Sequence, residues 1–383
     1  MTHVRSWAPL ALASLLLAAC GGGGSDSTPR ANITSVKVMG DSIADSGTFG
    51  YKFTVQGANS YVYPERVAQS YGVAALCNVY QFTGTAFVAN TTKTGCTNYA
   101  VGGGRINNFT GPTNPFSIVQ QLKDSSAAGN FAATDLLVID GGGNDAADLI
   151  GAYLKVQTDG GASYSGLLKT LLAPATVDTT LATGAAGFAS IGGTYLTALA
   201  DAFFNAIKAN VLDKGAQRVV LLNMPGITNT PRFQTVLGAI AAANGGGAAG
   251  AAARAQAEGL FKSWIVAFNT ELAAKFSGNA SVVLVDFYTS FNDQFTTPAQ
   301  FGLSNVATPA CPITGLGSDG LPTYTFPTCT DAALSAQTPP PAATGGADWW
   351  KTYGFSDGFH PTPYGHQLLA QLIARSLAQA GWL

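Results

Sequence analysis

The sequence predicts an open α/β sandwich, in which helices cover both faces of a largely parallel sheet. Five short strand-like segments recur along the chain, with helical patterns between them. Most of these segments are continuous apolar runs rather than alternating ones, as expected for strands buried on both faces. Apolar residues make up 47% of the 383 residues, which is ample for a large core.

The predicted elements alternate along the chain. The predicted strands are Ile33–Met39, Asn98–Val101, Leu136–Asp140, Arg218–Asn223 and Val282–Asp286. The predicted helices are Tyr61–Ser70, Gly193–Asn210, Ala251–Lys275 and Pro363–Ala380. Thr362 and Pro363 suit the N-cap and the first position of the last helix. Ligands of such sheets bind beyond the carboxyl ends of the strands, so the residues that follow each strand are the candidates for chemistry.

The first residues have the pattern of an export signal. Arg5 precedes an apolar run of 13 residues, Trp7–Ala19, that ends in small residues and is too short to span a bilayer. Leu17-Ala18-Ala19-Cys20 resembles a bacterial lipobox, which implies cleavage before Cys20 and lipid attachment to its thiol. An ordinary signal peptide, with Cys20 incidental, is the alternative. We therefore expect a signal peptide over residues 1–19 and an exported, lipid-anchored protein.

A flexible tether is expected to follow the lipidated cysteine. Residues 20–32 are glycine-rich and polar, which is typical of a linker. Gly21 is compatible with sorting to the bacterial outer membrane, by resemblance to Gram-negative lipoproteins, on either the periplasmic or the surface face.

Residues 33–383 are expected to form one domain, because no further stretch has the composition of a domain linker. Two insertions are predicted, near residues 225–260 and 292–350. The low-complexity segment Gly238–Gly259 lies in the first, and its composition predicts a disordered or partly helical segment.

Four cysteines remain after Cys20, an even number that suits an oxidising compartment: Cys77, Cys96, Cys311 and Cys329. They allow three pairings, and the nearest-neighbour pairing, Cys77 with Cys96 and Cys311 with Cys329, closes two short loops. Free buried thiols are the alternative.

Charge argues against one class of partner. The formal net charge is −2, charged residues make up only 10% of the chain, and no basic run occurs. Nucleic-acid binding requires clustered Lys and Arg, so we do not expect it.

Glycine-rich or polar groups follow the first three predicted strands. Gly40-Asp41-Ser42 follows the first, Gly102-Gly103-Gly104 follows the second, and Asn144 lies a short turn beyond the third. Glycines at such positions leave backbone N–H groups open to a ligand. Asp357 and His360 stand just before the last predicted helix.

These residue types are the ones that acyl transfer requires. A serine hydroxyl becomes a good nucleophile when an imidazole removes its proton, and the imidazole needs a carboxylate to fix its tautomer. Asp357, three residues before His360, can reach the near ring nitrogen and leave the far one for Ser42. The Ser42 N–H, a glycine N–H and the Asn144 amide would then donate to the developing oxyanion.

Few residues can act as the base. The chain has three histidines, His3, His360 and His366, and cleavage of the signal would remove the first. No acidic residue lies three positions before His366, so we interpret it as a structural or surface residue. The sequence has no clustered Cys and His spacing, so we expect no metal and no cofactor.

The motifs resemble those of the GDSL, or SGNH, hydrolase family. "VMGDSIADSGTFG" resembles the first block, with Ile43 where leucine is usual, and "NYAVGGGRI", "GGGND" and "DGFHPTPYGH" resemble the glycine, asparagine and Asp-x-x-His blocks. The likeness covers most of residues 35–380 in the family's order. It implies a flavodoxin-like three-layer αβα sandwich with a mostly parallel five-stranded sheet, and esterase or lipase activity.

The resemblance also implies a role for each of five residues: Ser42 as nucleophile and oxyanion donor, Gly103 and Asn144 as the other oxyanion donors, His360 as base, and Asp357 as the residue that orients it. Three consecutive glycines leave the register open, so Gly102 is the alternative to Gly103. Asp41 and Asp45 are expected to shape the serine turn.

We therefore expect a monomeric serine hydrolase that cleaves small-molecule or lipid esters and contacts the membrane only through its anchor. Lysophospholipids and other lipid esters are the favoured substrates, and short-chain or carbohydrate acetyl esters are the alternative. An acyltransferase would use the same residues, whereas a non-catalytic binding lipoprotein would not need them together. The aromatic-rich segments Phe49–Tyr63 and Phe291–Phe301 would either line an apolar groove or only pack.

Overall fold

The computed structural model describes residues 31–127 and 129–383, and the predicted signal peptide and Cys20 lie outside them. The strands in this part of the chain are β1 (Ser35–Met39), β2 (Tyr80–Phe82), β3 (Phe87–Ala89), β4 (Asp135–Ile139), β5 (Val219–Leu222), β6 (Val282–Val285), β7 (Gly315–Leu316) and β8 (Pro322–Thr323). The α-helices are α1 (Tyr63–Ser70), α2 (Ile118–Ser126), α3 (Gly143–Leu154), α4 (Val156–Asp159), α5 (Ala162–Leu168), α6 (Pro174–Leu181), α7 (Ala185–Asn210), α8 (Pro231–Ala243), α9 (Gly247–Phe276), α10 (Phe287–Thr296), α11 (Asp331–Ser335) and α12 (Pro363–Gln379). Among these helices, none combines the length and apolarity that crossing a membrane requires.

The central sheet is parallel and has the strand order β1-β4-β5-β6. Every residue of β4 and β5 is buried, because successive side chains point to opposite faces and helices cover both. One face packs against α2, α3, α7 and α9, and the other packs against α1, α10 and α12. The predicted fold class, an α/β sandwich of three layers, is therefore confirmed.

The sheet has four strands rather than the predicted five. The predicted second strand, Asn98–Val101, runs beside β1 but forms only one parallel bridge to it, between Val38 and Asn98. The Asn98 side chain donates to Ala44 O at 2.8 Å, and its Oδ1 accepts the Ala100 N–H at 2.9 Å. The bonds of Tyr99 and Val101 to β1 persist, but the Gly40 N–H donates to Gln121 Oε1 at 2.8 Å instead of continuing the ladder, so no second bridge forms between these segments.

The low-complexity segment Gly238–Gly259 is helical along most of its length. It forms the end of α8, a tight turn and the start of α9, in keeping with the high helix propensity of its alanines. Further along α9, the buried Trp264 packs over Gly192 of α7, where a Cβ would overlap the indole ring. The two long helices can therefore approach closely on one face of the sheet.

Two disulfides close the bases of the two β-hairpins. Cys77–Cys96 brackets β2 and β3, and Cys311–Cys329 brackets β7 and β8. Four cysteines allow three pairings, and the structure has the one that joins nearest neighbours in the sequence. Each closes a short loop and contributes about 3 kcal/mol in the chain-entropy account of disulfide stabilisation.

The long segment 292–350 has a small core of its own, distinct from the two faces of the sheet. It contains the second disulfide together with Val55, Phe326, Leu334, Trp349, Trp350 and Tyr353. Gln56 ties this core to the segment after β1, because its N–H donates to Cys329 O and its carbonyl accepts the Asp331 N–H, both at 2.8 Å. The segment is thereby anchored next to the carboxyl edge of the sheet.

His366 is a buried structural residue in the first turn of α12. Its Nδ1 accepts the Tyr63 N–H at 3.3 Å, so the neutral ring carries its proton on Nε2. Burial lowers the pKa of His366 to about 3, and the positive charges of Arg66 and Lys52 act in the same direction. The structure therefore favours the structural interpretation of this histidine over a surface one.

We expect the stability advantage of the wild type over a His366→Gln variant to decrease as the pH falls. An unfolded chain protonates this histidine near pH 6.5, whereas the folded protein resists protonation down to about pH 3. Between these values, proton uptake favours the unfolded state. From neutral pH to about pH 4.5, the wild type should therefore lose roughly 2 to 3 kcal/mol relative to the variant.

The measurement is urea unfolding of both proteins at a series of pH values. Buried carboxyl groups such as Asp140 and Asp145 titrate in both proteins, so their contributions cancel in the difference. A difference in unfolding free energy that stays constant with pH would contradict the burial of a neutral His366.

Candidate active site

Ser42 lies in a tight turn directly after β1 and is buried. The turn is held from both sides: the Asp41 N–H donates to Asp140 Oδ1 at 3.0 Å, and Asp41 Oδ1 accepts the Ile43 N–H at 3.1 Å. A Cβ on Gly40 would overlap the Asp140 carboxylate, so the residue that follows β1 has to be a glycine. These contacts place Ser42 at the carboxyl edge of the sheet.

The His360 ring bridges Ser42 and Asp357. Its Nε2 lies 2.7 Å from Ser42 Oγ, and its Nδ1 lies 2.8 Å and 3.0 Å from the two carboxylate oxygens of Asp357. Because an ionised carboxylate can only accept, Nδ1 carries the ring proton and Nε2 accepts from the serine hydroxyl. The structure thus brings these three sequence-predicted side chains together in one hydrogen-bonded chain.

The Asp357 carboxylate is fixed by its own turn. It accepts the N–H groups of Phe359 at 2.8 Å and of His360 at 2.6 Å. Burial raises the pKa of Asp357, but the interaction with His360 and these hydrogen bonds outweigh burial, so the pKa lies below its ordinary value. Asp357 is therefore ionised at neutral pH. Thr362 caps the helix that follows, as predicted, by accepting the Gly365 N–H.

The backbone N–H groups around Ser42 distinguish the three glycines. The Gly102 N–H donates to Asp45 Oδ2 at 2.9 Å, and the Gly104 N–H donates to Val101 O at 2.9 Å. Within the described residues, the N–H groups of Gly103 and Ser42 donate to no protein acceptor. These two donors are therefore open to a ligand, whereas that of Gly102 is already used.

Asn144 lies in the first turn of α3, with its side chain on the same loops. Its Nδ2 donates to Gly104 O at 3.0 Å and lies 3.4 Å from Asp41 Oδ2. The first contact is a normal hydrogen bond and the second is long. One amide hydrogen thus fixes the side chain, and the other remains weakly engaged beside the serine turn.

Arg105 fixes the conformation of Gly103. It donates from Nη1 to Gly103 O at 2.7 Å, and its guanidinium forms a two-point ion pair with Asp148. Gly103 has a φ of +78°, a backbone conformation that side chains other than glycine disfavour. The arginine therefore stabilises a turn next to Ser42 that would be strained with any residue other than glycine at position 103.

Two buried aspartates tie the neighbouring loops together. Asp45 accepts the N–H groups of Gly47, Thr48 and Gly102, which joins the serine turn to the glycine loop, as expected for a residue that shapes the turn. Asp145 accepts the N–H groups of Ile106 and Asn107 at 2.9 Å and 2.8 Å. Burial raises the pKa of Asp145 to about 6, although both hydrogen bonds lower it.

Asp140 and Tyr63 are residues of this site that the sequence analysis does not assign. The Tyr63 hydroxyl donates to Asp140 Oδ2 at 2.5 Å. Burial raises the pKa of Asp140 to about 6, and burial together with the charge of Asp140 raises the pKa of Asp41 well above its ordinary value. Asp140 directly follows β4, and this position at the carboxyl end of a strand is the signal that could have identified it as a site residue. Tyr63 is the first residue of α1, and no sequence motif marks it as a site residue.

An apolar cleft of about 540 Å³ opens at Ser42. One side carries Asp41, Ser42 and Asp140, and the remaining wall is largely apolar, with Ile227, Phe291, Phe359 and Pro361 among its residues. Ile43, where the family usually has leucine, is half-buried and also lines the cleft. An ester placed here would have its carbonyl near polar groups and its hydrocarbon part against apolar ones.

Aromatic rings surround the imidazole of His360. The ring centroids of Phe53, Phe326 and Phe359 lie 5.2 Å, 5.6 Å and 5.8 Å from that of His360. Of the two aromatic-rich segments, Phe49–Tyr63 therefore packs beside the base through Phe53, and Phe291–Phe301 contributes Phe291 to the cleft. Both segments border the site.

Comparison with known proteins agrees with this arrangement of motifs. The chain matches the model of the family described as GDSL-like lipase/acylhydrolase over residues 36–373. A search of curated proteins finds no match to the chain. The matched span runs from β1 into α12 and includes every loop that forms the site. The chain therefore belongs to the GDSL-like lipase/acylhydrolase family.

Proposed function

We propose that this protein hydrolyses carboxylic esters through an acyl-enzyme on Ser42. Membership of the family indicates a hydrolase that acts on esters. The observation that carries the finer proposal is the position of the His360 ring, hydrogen-bonded to Ser42 Oγ through Nε2 and to Asp357 through Nδ1. This arrangement is the one that activates a serine hydroxyl at neutral pH.

In the first half of the proposed reaction, Ser42 Oγ attacks the ester carbonyl carbon while His360 Nε2 takes the hydroxyl proton. The carbonyl oxygen becomes an oxyanion, and Asp357 stabilises the imidazolium. Collapse of this intermediate breaks the bond to the alcohol oxygen, which receives the proton from His360. A water molecule then repeats the sequence on the acyl-enzyme, releasing the carboxylic acid and restoring Ser42.

We assign the oxyanion donors to the N–H groups of Ser42 and Gly103 and the side-chain amide of Asn144. The two backbone groups have no protein acceptor within the described residues, which favours Gly103 over Gly102. The amide hydrogen of Asn144 that faces Asp41 over 3.4 Å is the one available to the oxyanion. Donors that are already oriented before the reaction stabilise developing charge most effectively.

The proposed substrate is a small-molecule or lipid ester, because the wall opposite Ser42 is largely apolar. The two disulfides indicate an extracellular or periplasmic protein. We further propose that the protein acts as a monomer, anchored through a lipid on Cys20 to the outer membrane.

We expect Ser42→Ala to reduce kcat for ester hydrolysis by roughly 10⁴-fold or more, because the nucleophile is removed. Asp357→Asn should reduce kcat by about 10⁴-fold, because the amide no longer fixes the ring proton on Nδ1. The measurement is the turnover of p-nitrophenyl acetate and p-nitrophenyl butyrate by the full chain.

The matched control is Ser46→Ala, a change in the same turn at a hydroxyl that donates to Asn78 rather than to His360. It should retain turnover within a few-fold. Undiminished turnover by a folded Ser42→Ala variant would refute the acyl-enzyme at this residue.

For the oxyanion donors, Asn144→Ala should lower kcat by about 10²- to 10³-fold and change KM little, since the lost bond forms only in the transition state. Circular dichroism and the melting temperature would check the fold, because Asn144 also bonds Gly104 O. A change confined to KM, with kcat retained, would remove Asn144 from the proposed oxyanion site.

A further inference from the structure

A second, smaller cavity lies beside the cleft at Ser42. The two cavities share three lining residues, Phe287, Phe291 and Pro361. The second cavity extends from them to Leu303, Val306 and Phe355, away from the serine turn. It is therefore separated from the site of the proposed reaction by a single layer of side chains.

The lining of the second cavity is apolar. Phe287, Leu303 and Phe355 are each at most 5% exposed, and no lining residue is charged. Among the described residues that line it, Gln294 has the only polar side chain, and its amide donates to Ser290 Oγ at 3.3 Å. A hydrocarbon is the ligand that such a surface can bind without leaving a polar group unpaired.

Phe291 forms the partition between the two cavities. Its ring meets those of Phe287 and Phe355 edge to face, with centroids 5.5 Å and 5.9 Å apart. Phe291 is only half-buried, whereas Phe287 and Phe355 are buried, so it is the partition residue with the most room to move. A rotation of this one ring would join the two cavities into a continuous apolar channel that begins at Ser42.

We propose that the second cavity binds the distal part of a linear acyl chain whose carbonyl carbon lies at Ser42, and that Phe291 and Val306 set the acyl-chain length. This inference rests on the proposed esterase function and names its substrate class: esters of medium-length to long linear acids. Each methylene that enters an apolar cavity gains about fourfold in kcat/KM, if the transfer is complete. Acetyl esters are too short to pass Phe291 and gain nothing from this cavity.

The first test fills the cavity. Val306 lines only the second cavity and is half-buried, so Val306→Phe places a larger side chain there without touching the serine turn. The full chain and the variant are compared on p-nitrophenyl acetate, butyrate, octanoate and decanoate below their micelle concentrations. Exclusion of about two methylenes should lower kcat/KM for the decanoate by about 15-fold and leave that for the acetate within twofold.

A matched control makes the same substitution elsewhere. Val266 on α9 is 43% exposed and lines neither cavity, so Val266→Phe should leave the whole chain-length profile unchanged. Phe291→Ala, which removes the partition, should raise the ratio of decanoate to acetate kcat/KM. An equal effect of Val306→Phe on acetate and decanoate, or no effect on either, would overturn the inference while the esterase proposal stands.

A binding measurement separates this inference from the proposed reaction. Decanoic acid is titrated by calorimetry into the Ser42→Ala variant and into Ser42→Ala/Val306→Phe, neither of which needs to turn over an ester. Binding that weakens at least tenfold in the double variant supports the acyl cavity even if no ester is hydrolysed. Equal binding by both variants, or binding by neither, refutes the cavity, whereas hydrolysis of acetate alone would leave the esterase proposal intact.

Discussion

The Asp140 carboxylate is the contact on which the rest of the site depends. One of its oxygens accepts a hydrogen bond from the Asp41 N–H, and the other accepts one from the Tyr63 hydroxyl. The carboxylate also fills the space that a side chain at Gly40 would need. It therefore joins the ends of two neighbouring strands, β1 and β4, to helix α1, which lies on the same face of the sheet as α10 and α12. The serine turn, which has no regular secondary structure of its own, is held in place by this junction.

Acidic groups are concentrated at and near this junction, in a protein that has few charges. Asp41, Asp140 and Asp145 are all buried, and burial disfavours the ionised form of each. Full ionisation of these groups would place negative charge next to the donors that we assign to the oxyanion. The hydrogen bonds that these carboxyl groups accept from backbone N–H groups offset part of that negative charge.

Sequence patterns predict the layers of the fold, and they single out three side chains that the structure brings together. Strands β5 and β6, and β4 after Asp135, are unbroken apolar runs, whereas Lys37 interrupts β1. The motifs that contain Ser42, Asp357 and His360 directly follow a strand or directly precede a helix. The fifth strand is reduced to a bridge because the Gly40 N–H donates to the Gln121 side chain instead of continuing the ladder. The alanine-rich segment is helical because alanine propensity outweighs the glycines around it.

Other parts of the site could not be predicted, because they depend on tertiary packing rather than on local sequence. Tyr63 and Asp140 are 77 positions apart and meet only when α1 packs against the sheet. The choice between Gly102 and Gly103 depends on which N–H group Asp45 occupies, and no spacing reveals that. The second cavity is likewise an outcome of how α10 lies against the segment before α12.

The walls of the second cavity come largely from one stretch of chain, α10 and the loop after it, whereas the serine, its base and the proposed donors come from other loops. Substitutions in that stretch can therefore alter which esters fit without disturbing the groups that would break the bond. Such a division would let natural variation change the length of the acyl chain that the protein accepts while the proposed reaction stays the same. It also gives protein engineers a single contiguous segment to exchange between relatives.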